Sequence, residues 1–305
     1  MNTPKNILVV ISGKRRRHAA LERALAFAKH NDIHIHLFNS IYEPVMELTD
    51  VLSSEHRKEM KREYLADRQL YMESVAKDIT DQGIACTIHV TWHRDLEEAI
   101  ETAATELAPD LVIKRITDDI NTLNPFAMPI DRHLLRFCPA PLLLVKKSVW
   151  DNGPVLAAID PTTSDSEHIQ LNNKVIASAK MLAKLGNSSV HVVNTFETPT
   201  QVYPDGLPDF DYPQMRQATE DFHKDKMTTF LATHDIPKQN IHLLETSAET
   251  GINKLAEELE AQLVVLGTVG RSGISGAFFG NTVEKVLSHL TCEVFAIKPD
   301  KSKKS

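Results

Sequence analysis

Cysteine is scarce in this chain: Cys86, Cys138 and Cys292 are the three present, an odd number with no C-x-x-C pair. That excludes a disulfide framework and fits a reducing compartment, with the thiols read as small buried hydrophobes. Long apolar runs are lacking as well. No stretch approaches the ~20 residues of a membrane span, and Met1 to Lys5 lead straight into a strand-like run instead of a signal sequence. The expectation is a cytoplasmic protein with no membrane attachment. There is no excess of positive charge: the net charge of -7 argues against a nucleic-acid partner. Within the glycine-rich stretch that begins at Gly267, no Lys follows a glycine as a P-loop needs, and no G-x-G-x-x-G fits. An esterase elbow fails there too, because Ser272 has Gly270 before it but Ile274 after it. No nucleophile with a base, and no carboxylate pair in a glycine-framed pocket, can be read, so no dedicated catalytic residue is expected.

What is present is the composition of a globular protein, 42% hydrophobic and 25% charged over 305 residues, enough for two domains with cores of their own. Asn6 to Ser12 is a continuous apolar run, the pattern of a parallel strand covered on both faces. A helix follows over Ala19 to Ala28, then a strand over Ile33 to Ser40, a long helix from Ser54 to Asp81, a strand over Ile84 to Val90, a helix over Leu96 to Leu107, and strands at Leu111 to Ile113 and Pro141 to Val145. The pattern then restarts, with strands at Val155 to Ile159, Ser189 to Thr195, Ile241 to Leu244, Leu263 to Leu266 and Val294 to Ile297, and helices over Leu171 to Leu185 and Asp221 to Thr233. At an offset of 152 the last fifty or so residues of the halves align without a gap: Leu107 meets Leu259, Leu111 meets Leu263 and Leu134 meets Val286. The chain is therefore an internal duplication of an α/β unit, two tandem doubly wound five-stranded parallel-sheet domains over 1–150 and 151–305. The two halves are expected to pack on each other as an intramolecular domain pair, and further association into a homodimer is compatible with this.

The most informative stretch is Gly267 to Thr282, GTVGRSGISGAFFGNT, between the apolar strand that ends at Leu266 and a helical pattern marked by Val283, Val286 and Leu287. A helix start leaves backbone N–H groups unpaired and carries positive partial charge, and glycines let the chain approach an anion closely, so this is a place to hold phosphate. The spacing Gly267-x2-Gly270-x9-Gly280, followed by Asn281-Thr282, resembles the nucleotide loop of the universal stress protein family, a fold also described as adenine nucleotide alpha hydrolase-like. The strings VVLGTVGRSGIS and FFGNT, the Trp92-His93 pair and His133-Leu134-Leu135-Arg136 extend that resemblance to the tandem members. It implies ATP or a related adenine nucleotide as ligand, with Mg²⁺ as companion, and a stress-response role through regulatory or partner interactions. It further implies that Gly267, Thr268, Gly270, Gly280, Asn281 and Thr282 hold ribose and phosphates, with Asn281 where the family usually has Ser or Thr. Asp160 at the end of its strand meets the adenine or ribose, Ala158 and Ile159 flank the base, and Thr195 supplies backbone contacts. Arg271 and Ser272 lie inside the loop and can reach phosphates by charge or hydroxyl. Asp160 has a plain structural alternative, capping the turn that contains Thr162 and Thr163.

At the same offset the first half has Arg115 for Gly267, Asp118 for Gly270, Met128 for Gly280 and Pro129 for Asn281, while Ser12 stands for Asp160. One nucleotide site is expected, in the second half. Lys14, Arg15, Arg16 and Arg17 after the first strand, with Lys114 and Arg115 at the end of the fourth, suggest an anionic ligand for the first half, against surface charges paired with Glu22 or the Asp118-Asp119 pair. Pro125 to Ile130 could line an apolar pocket, and the pairs His34/His36 and His89/His93 could hold zinc, though no third ligand stands at a recognisable spacing. Thr198 to Pro213, rich in proline and aromatics, reads as a lid or a contact loop. Besides nucleotide binding with slow ATP hydrolysis, a nucleotidyl-transfer enzyme and a scaffold without nucleotide affinity remain as alternatives.

Overall fold

The computed structural model describes residues 3–15, 17–29, 31–47, 53–116, 130–147, 150, 152–198, 211–268 and 292–299. The chain divides into two units, residues 2–149 and 150–305.

In the first unit, β1 (Asn6–Val10), β2 (His34–Ile41), β3 (Ala85–Trp92), β4 (Leu111–Arg115) and β5 (Leu142–Val145) form a sheet in the order β3-β2-β1-β4-β5. Every pairing in it is parallel. Ile7, Leu8, Val9, Leu111, Val112 and Ile113 are fully buried, as the unbroken apolar runs require of strands covered on both faces. Each such side chain contributes about 1.5–3 kcal/mol through burial. Helix α1 (Ala19–Ala28) turns Ala20, Ala24 and Phe27 inward. The 27-residue α2 (Ser54–Thr80) buries only Met72, Ala76 and Ile79, at helical spacing, and starts at Ser53, whose hydroxyl accepts from His56 N–H at 3.2 Å. Helices α3 (Leu96–Leu107) and α4 (Ile130–Phe137) complete the unit.

The second unit repeats the plan. Strands β6 (Val155–Ala158), β7 (Val190–Phe196), β8 (Ile241–Glu245), β9 (Leu263–Gly267) and β10 (Glu293–Ile297) follow the order β8-β7-β6-β9-β10, again all parallel. Helices α5 (Ser166–Gly186), α6 (Tyr212–Leu231) and α7 (Ala248–Glu258) are described with it.

Two helix boundaries and one whole helix differ from the sequence reading. Helix α5 begins five residues before Leu171, because its first turns are polar and carry no apolar period. Helix α6 starts at Tyr212 with Pro213 in its first turn, where the ring costs no hydrogen bond, and Asp211 caps Gln214 N–H at 3.0 Å. Tyr212 and Pro213 therefore belong to a helix and not to the loop. Helix α7, capped by Ser247 onto Thr250 N–H at 3.3 Å, is not named in the sequence reading, although it repeats α3 at the same offset of 152 and places Ile252, Leu255 and Ala256 at helical spacing. Among the described residues, no helix is long and apolar enough to cross a membrane.

Candidate functional site

In each unit the strand order reverses beside the first strand, so the carboxyl ends of β1/β4 and of β6/β9 diverge and open a crevice there. In the second unit Ala158 lies opposite Val193 on one side and Leu266 on the other, which brings Asp160, Thr195 and Gly267 to one edge. Ile159 is buried; its N–H donates to Val193 O at 3.0 Å and its carbonyl accepts from Asn194 Nδ2 at 3.0 Å. Asp160 is gripped through its backbone by Asn172 of α5, which accepts from Asp160 N–H at 3.3 Å and donates to Asp160 O at 2.6 Å. The carboxylate is exposed, and its Oδ1 accepts from Thr162 N–H at 3.1 Å and Thr162 Oγ1 at 2.6 Å. The turn-capping contact therefore exists. A carboxylate has about four acceptor positions, so it does not preclude a ligand contact.

Asn172, His223 and the side chain of Asn194 stand beside the expected site residues and are not named in the sequence reading. Asn194 Oδ1 lies 2.8 Å from His223 Nδ1, and both asparagines are buried. A lone amide inside VHVVNTF and another on the apolar face of α5 were the available signals, since buried amides need partners.

Gly267, which ends β9, lies directly against Leu171: a Cβ there would fall 2.5 Å from Leu171 Cδ2. Thr268 is buried and turns its hydroxyl to Ile297 O at 3.1 Å, with its N–H on the same carbonyl at 2.8 Å. Gly270, Arg271, Ser272, Gly280, Asn281 and Thr282, with the helix expected at Val283, Val286 and Leu287, lie outside the described residues. So do Arg16, Asp118, Asp119, residues 125–129 and residues 199–210.

In the first unit, Val10 lies opposite Lys114 as Ala158 lies opposite Leu266, which fixes Ser12 as the counterpart of Asp160 and Arg115 as that of Gly267. The six expected edge cations do not act together. Lys114 is 1% exposed and paired with Asp131 Oδ1 at 2.7 Å, and Lys14 pairs with Asp67 at 2.5 Å. Arg15, Arg17 and Arg115 border a cavity together with Ser12 and His18.

The histidines form an internally repeated arrangement. His36 Nδ1 and His89 Nε2 lie 3.2 Å apart across β2 and β3, and the counterparts His191 Nδ1 and His242 Nε2 lie 3.0 Å apart across β7 and β8. Burial and the neighbouring imidazoles lower His36 to a pKa of about 4, and burial lowers His89, His191 and His242. These rings are neutral partners. His34 stacks on His36 with centroids 4.4 Å apart, but its Nε2 is engaged with Thr87 Oγ1 at 2.6 Å. His93 instead gathers with Asp95 and Glu98, donor atoms within 4.8 Å of one another, at the start of α3, where the helix dipole already favours acidic groups. Burial pushes the Cys86 thiol up to about 11, which keeps it protonated and unreactive.

Beyond the crevice, Glu245 at the end of β8 accepts from Thr198 Oγ1 at 2.7 Å and from Arg216 Nε of α6 at 2.8 Å, so that one carboxylate joins residues on both sides of 199–210.

A model of the universal stress protein family matches residues 3–146 and 153–298, once within each unit. Universal stress protein E of Escherichia coli K12 is 34% identical over 299 residues, 97% of this chain and 94% of that protein. Its namesake from Photorhabdus laumondii is 32% identical with 97% and 95% coverage. Among solved structures, a functionally unknown protein from Pseudomonas aeruginosa PAO1 superposes with a TM-score of 0.75 at 27% identity, covering 97% of this chain and 93% of that one.

Proposed function

The chain belongs to the universal stress protein family, and from that premise we propose that its second unit binds ATP and that the protein acts as a nucleotide-dependent regulator. The observation that carries this reading is that Asp160 and Gly267 follow the paired strand positions Ala158 and Leu266 at the switch point of the second unit, where the strand ends diverge. Asp160 offers a carboxylate for ribose hydroxyls, Ala158 and Ile159 flank the base, and Thr195 contributes backbone groups at the neighbouring strand end. The stretch that follows Gly267 supplies backbone N–H groups and glycines for phosphates, with Arg271 and Ser272 as further donors and Thr282 as the hydroxyl displaced by one place. Bound Mg²⁺ would neutralise phosphate charge and permit slow hydrolysis without a dedicated base. The first unit, with Ser12 and Arg115 at the matching positions, takes no nucleotide of this kind.

A scaffold without nucleotide affinity is favoured by one observation: Leu171 alone accounts for a glycine at Gly267. Calorimetric titration of the nucleotide-stripped chain with ATP and Mg²⁺ decides between them. About one ATP per chain, lost in Gly270→Val/Gly280→Val, is the outcome expected for a single loop-type site. Absence of binding heat in the unaltered chain across a range of temperatures establishes the scaffold instead.

A further inference from the structure

We propose that the first unit carries an anion site of its own, built from side-chain cations around the carboxyl end of β1 and suited to a phosphate-type oxyanion. A cavity of about 60 Å³ opens there, bordered by Ser12, Arg15, Arg17, His18 and Arg115. A water's share of liquid volume is about 30 Å³, so the cavity has room for about two waters or one small oxyanion.

Among the described residues that border it, the charged side chains are the cations Arg15, Arg17 and Arg115. Arg15 and Arg17 immediately precede α1, whose start is itself positive, and His18 stands at the N-cap without a side-chain cap hydrogen bond. Arg115 closes the other side from the end of β4. Lys14 and Lys114 are drawn away to Asp67 and Asp131. On α1 itself the first-turn acid is Glu22, which is exposed. Cations at a helix start oppose its dipole. Burial first and the charge of Arg15 second lower the pKa of His18. An oxyanion in the cavity converts this repulsion into charge-assisted hydrogen bonds, for which guanidinium groups are the best-shaped donors.

The turn that carries the arginines is held in advance. The Tyr71 hydroxyl of α2 donates to Arg15 O at 2.9 Å, accepts from Arg15 N–H at 3.2 Å and lies 2.6 Å from His18 Nε2. A turn ordered before binding loses little entropy on binding. Relative to the second unit, a hydroxyl at Ser12 replaces the repelling carboxylate of Asp160, and a guanidinium replaces a glycine. The site therefore recognises charge without a glycine loop, independently of whether the second unit binds ATP.

The test uses the full chain, nucleotide-stripped, titrated with inorganic phosphate at constant ionic strength against chloride, by thermal unfolding and phosphorus NMR. Three forms are compared: unaltered, Arg15→Ala/Arg17→Ala, and Gly270→Val/Gly280→Val. A saturable rise in unfolding temperature is expected for the unaltered chain and the glycine variant, with apparent affinity at least about tenfold weaker in the arginine variant, since each 1.4 kcal/mol is tenfold. Without phosphate the arginine variant should unfold no lower than the unaltered chain, because repulsion has been removed. Retention of the phosphate response in Arg15→Ala/Arg17→Ala overturns the proposal. So does a response equalled by chloride, which marks a general salt effect, or one lost only in the glycine variant, which assigns phosphate to the second unit.

Discussion

A Cβ built on Gly267 would lie 2.5 Å from Cδ2 and 2.8 Å from Cγ of Leu171, so helix α5 itself demands glycine at the end of β9. In the first unit the counterpart is Arg115, beside Ala19 and Ala20 of α1, where a side chain has room.

Gly267→Ala should therefore lower stability by about 1–3 kcal/mol through overpacking, whether or not nucleotide is present. Adding Leu171→Ala should relieve the clash, so that the double variant loses less than the sum of the two single changes. Urea unfolding of the four forms checks this, and additive losses would show that the contact does not set the residue type.

Lys114 and Asp131 form a buried pair, 1% and 15% exposed at their side chains and 2.7 Å apart. Asp131→Ala alone takes the counter-charge from a buried ammonium that keeps the Arg115 carbonyl at 2.9 Å, and is expected to cost about 3–5 kcal/mol. The counterparts in the second half are Leu266 and Val283. Lys114→Leu with Asp131→Val should thus be far less damaging than Asp131→Ala, which thermal melts of both variants measure.

The histidine pairs make stability depend on pH in a defined direction. His36 has a folded pKa of about 4 against its usual 6.5, and His89, His191 and His242 shift the same way. Below 6.5 the unfolded chain binds protons that the folded rings refuse, so stability is complete above that pH and falls as pH drops toward about 4. Urea midpoints compared at about pH 7.5 and about pH 5 should decline for the unaltered chain. The decline should be smaller in His36→Leu/His89→Leu.

Glu245 holds Thr198, which precedes the 199–210 segment, and Arg216 of α6, which follows it. Arg216 first and Thr198 second hold its carboxyl below the ordinary range. Glu245→Ala should raise the rate of limited proteolysis between Thr198 and Asp211 while leaving global unfolding nearly unchanged, as expected for an exposed cluster. If the segment closes over bound nucleotide, ATP protects it in the unaltered chain and less in the variant.

By itself the sequence determined the duplication, the α/β class and nearly every strand. Parallel strands buried on both faces must be written as unbroken apolar runs, as Ile7 to Val10 and Leu263 to Leu266 are, and the solvent contributes nothing to their pattern. It also placed Asp160 and Gly267 at strand ends, because the end of an apolar run is a chain-local fact. Polar helix starts such as those of α5 and α6 were illegible, since their apolar period begins only where the helix meets the sheet. Tertiary structure alone decided which groups became partners. It withdrew Lys114 from the basic edge by burying it against Asp131, set Asn172 and Asn194 around Ile159 and Asp160, and matched His36 with His89 and His191 with His242. Those contacts join residues that are far apart in the chain, so what each charge or amide does follows from the register of parallel strands and the helices laid across them.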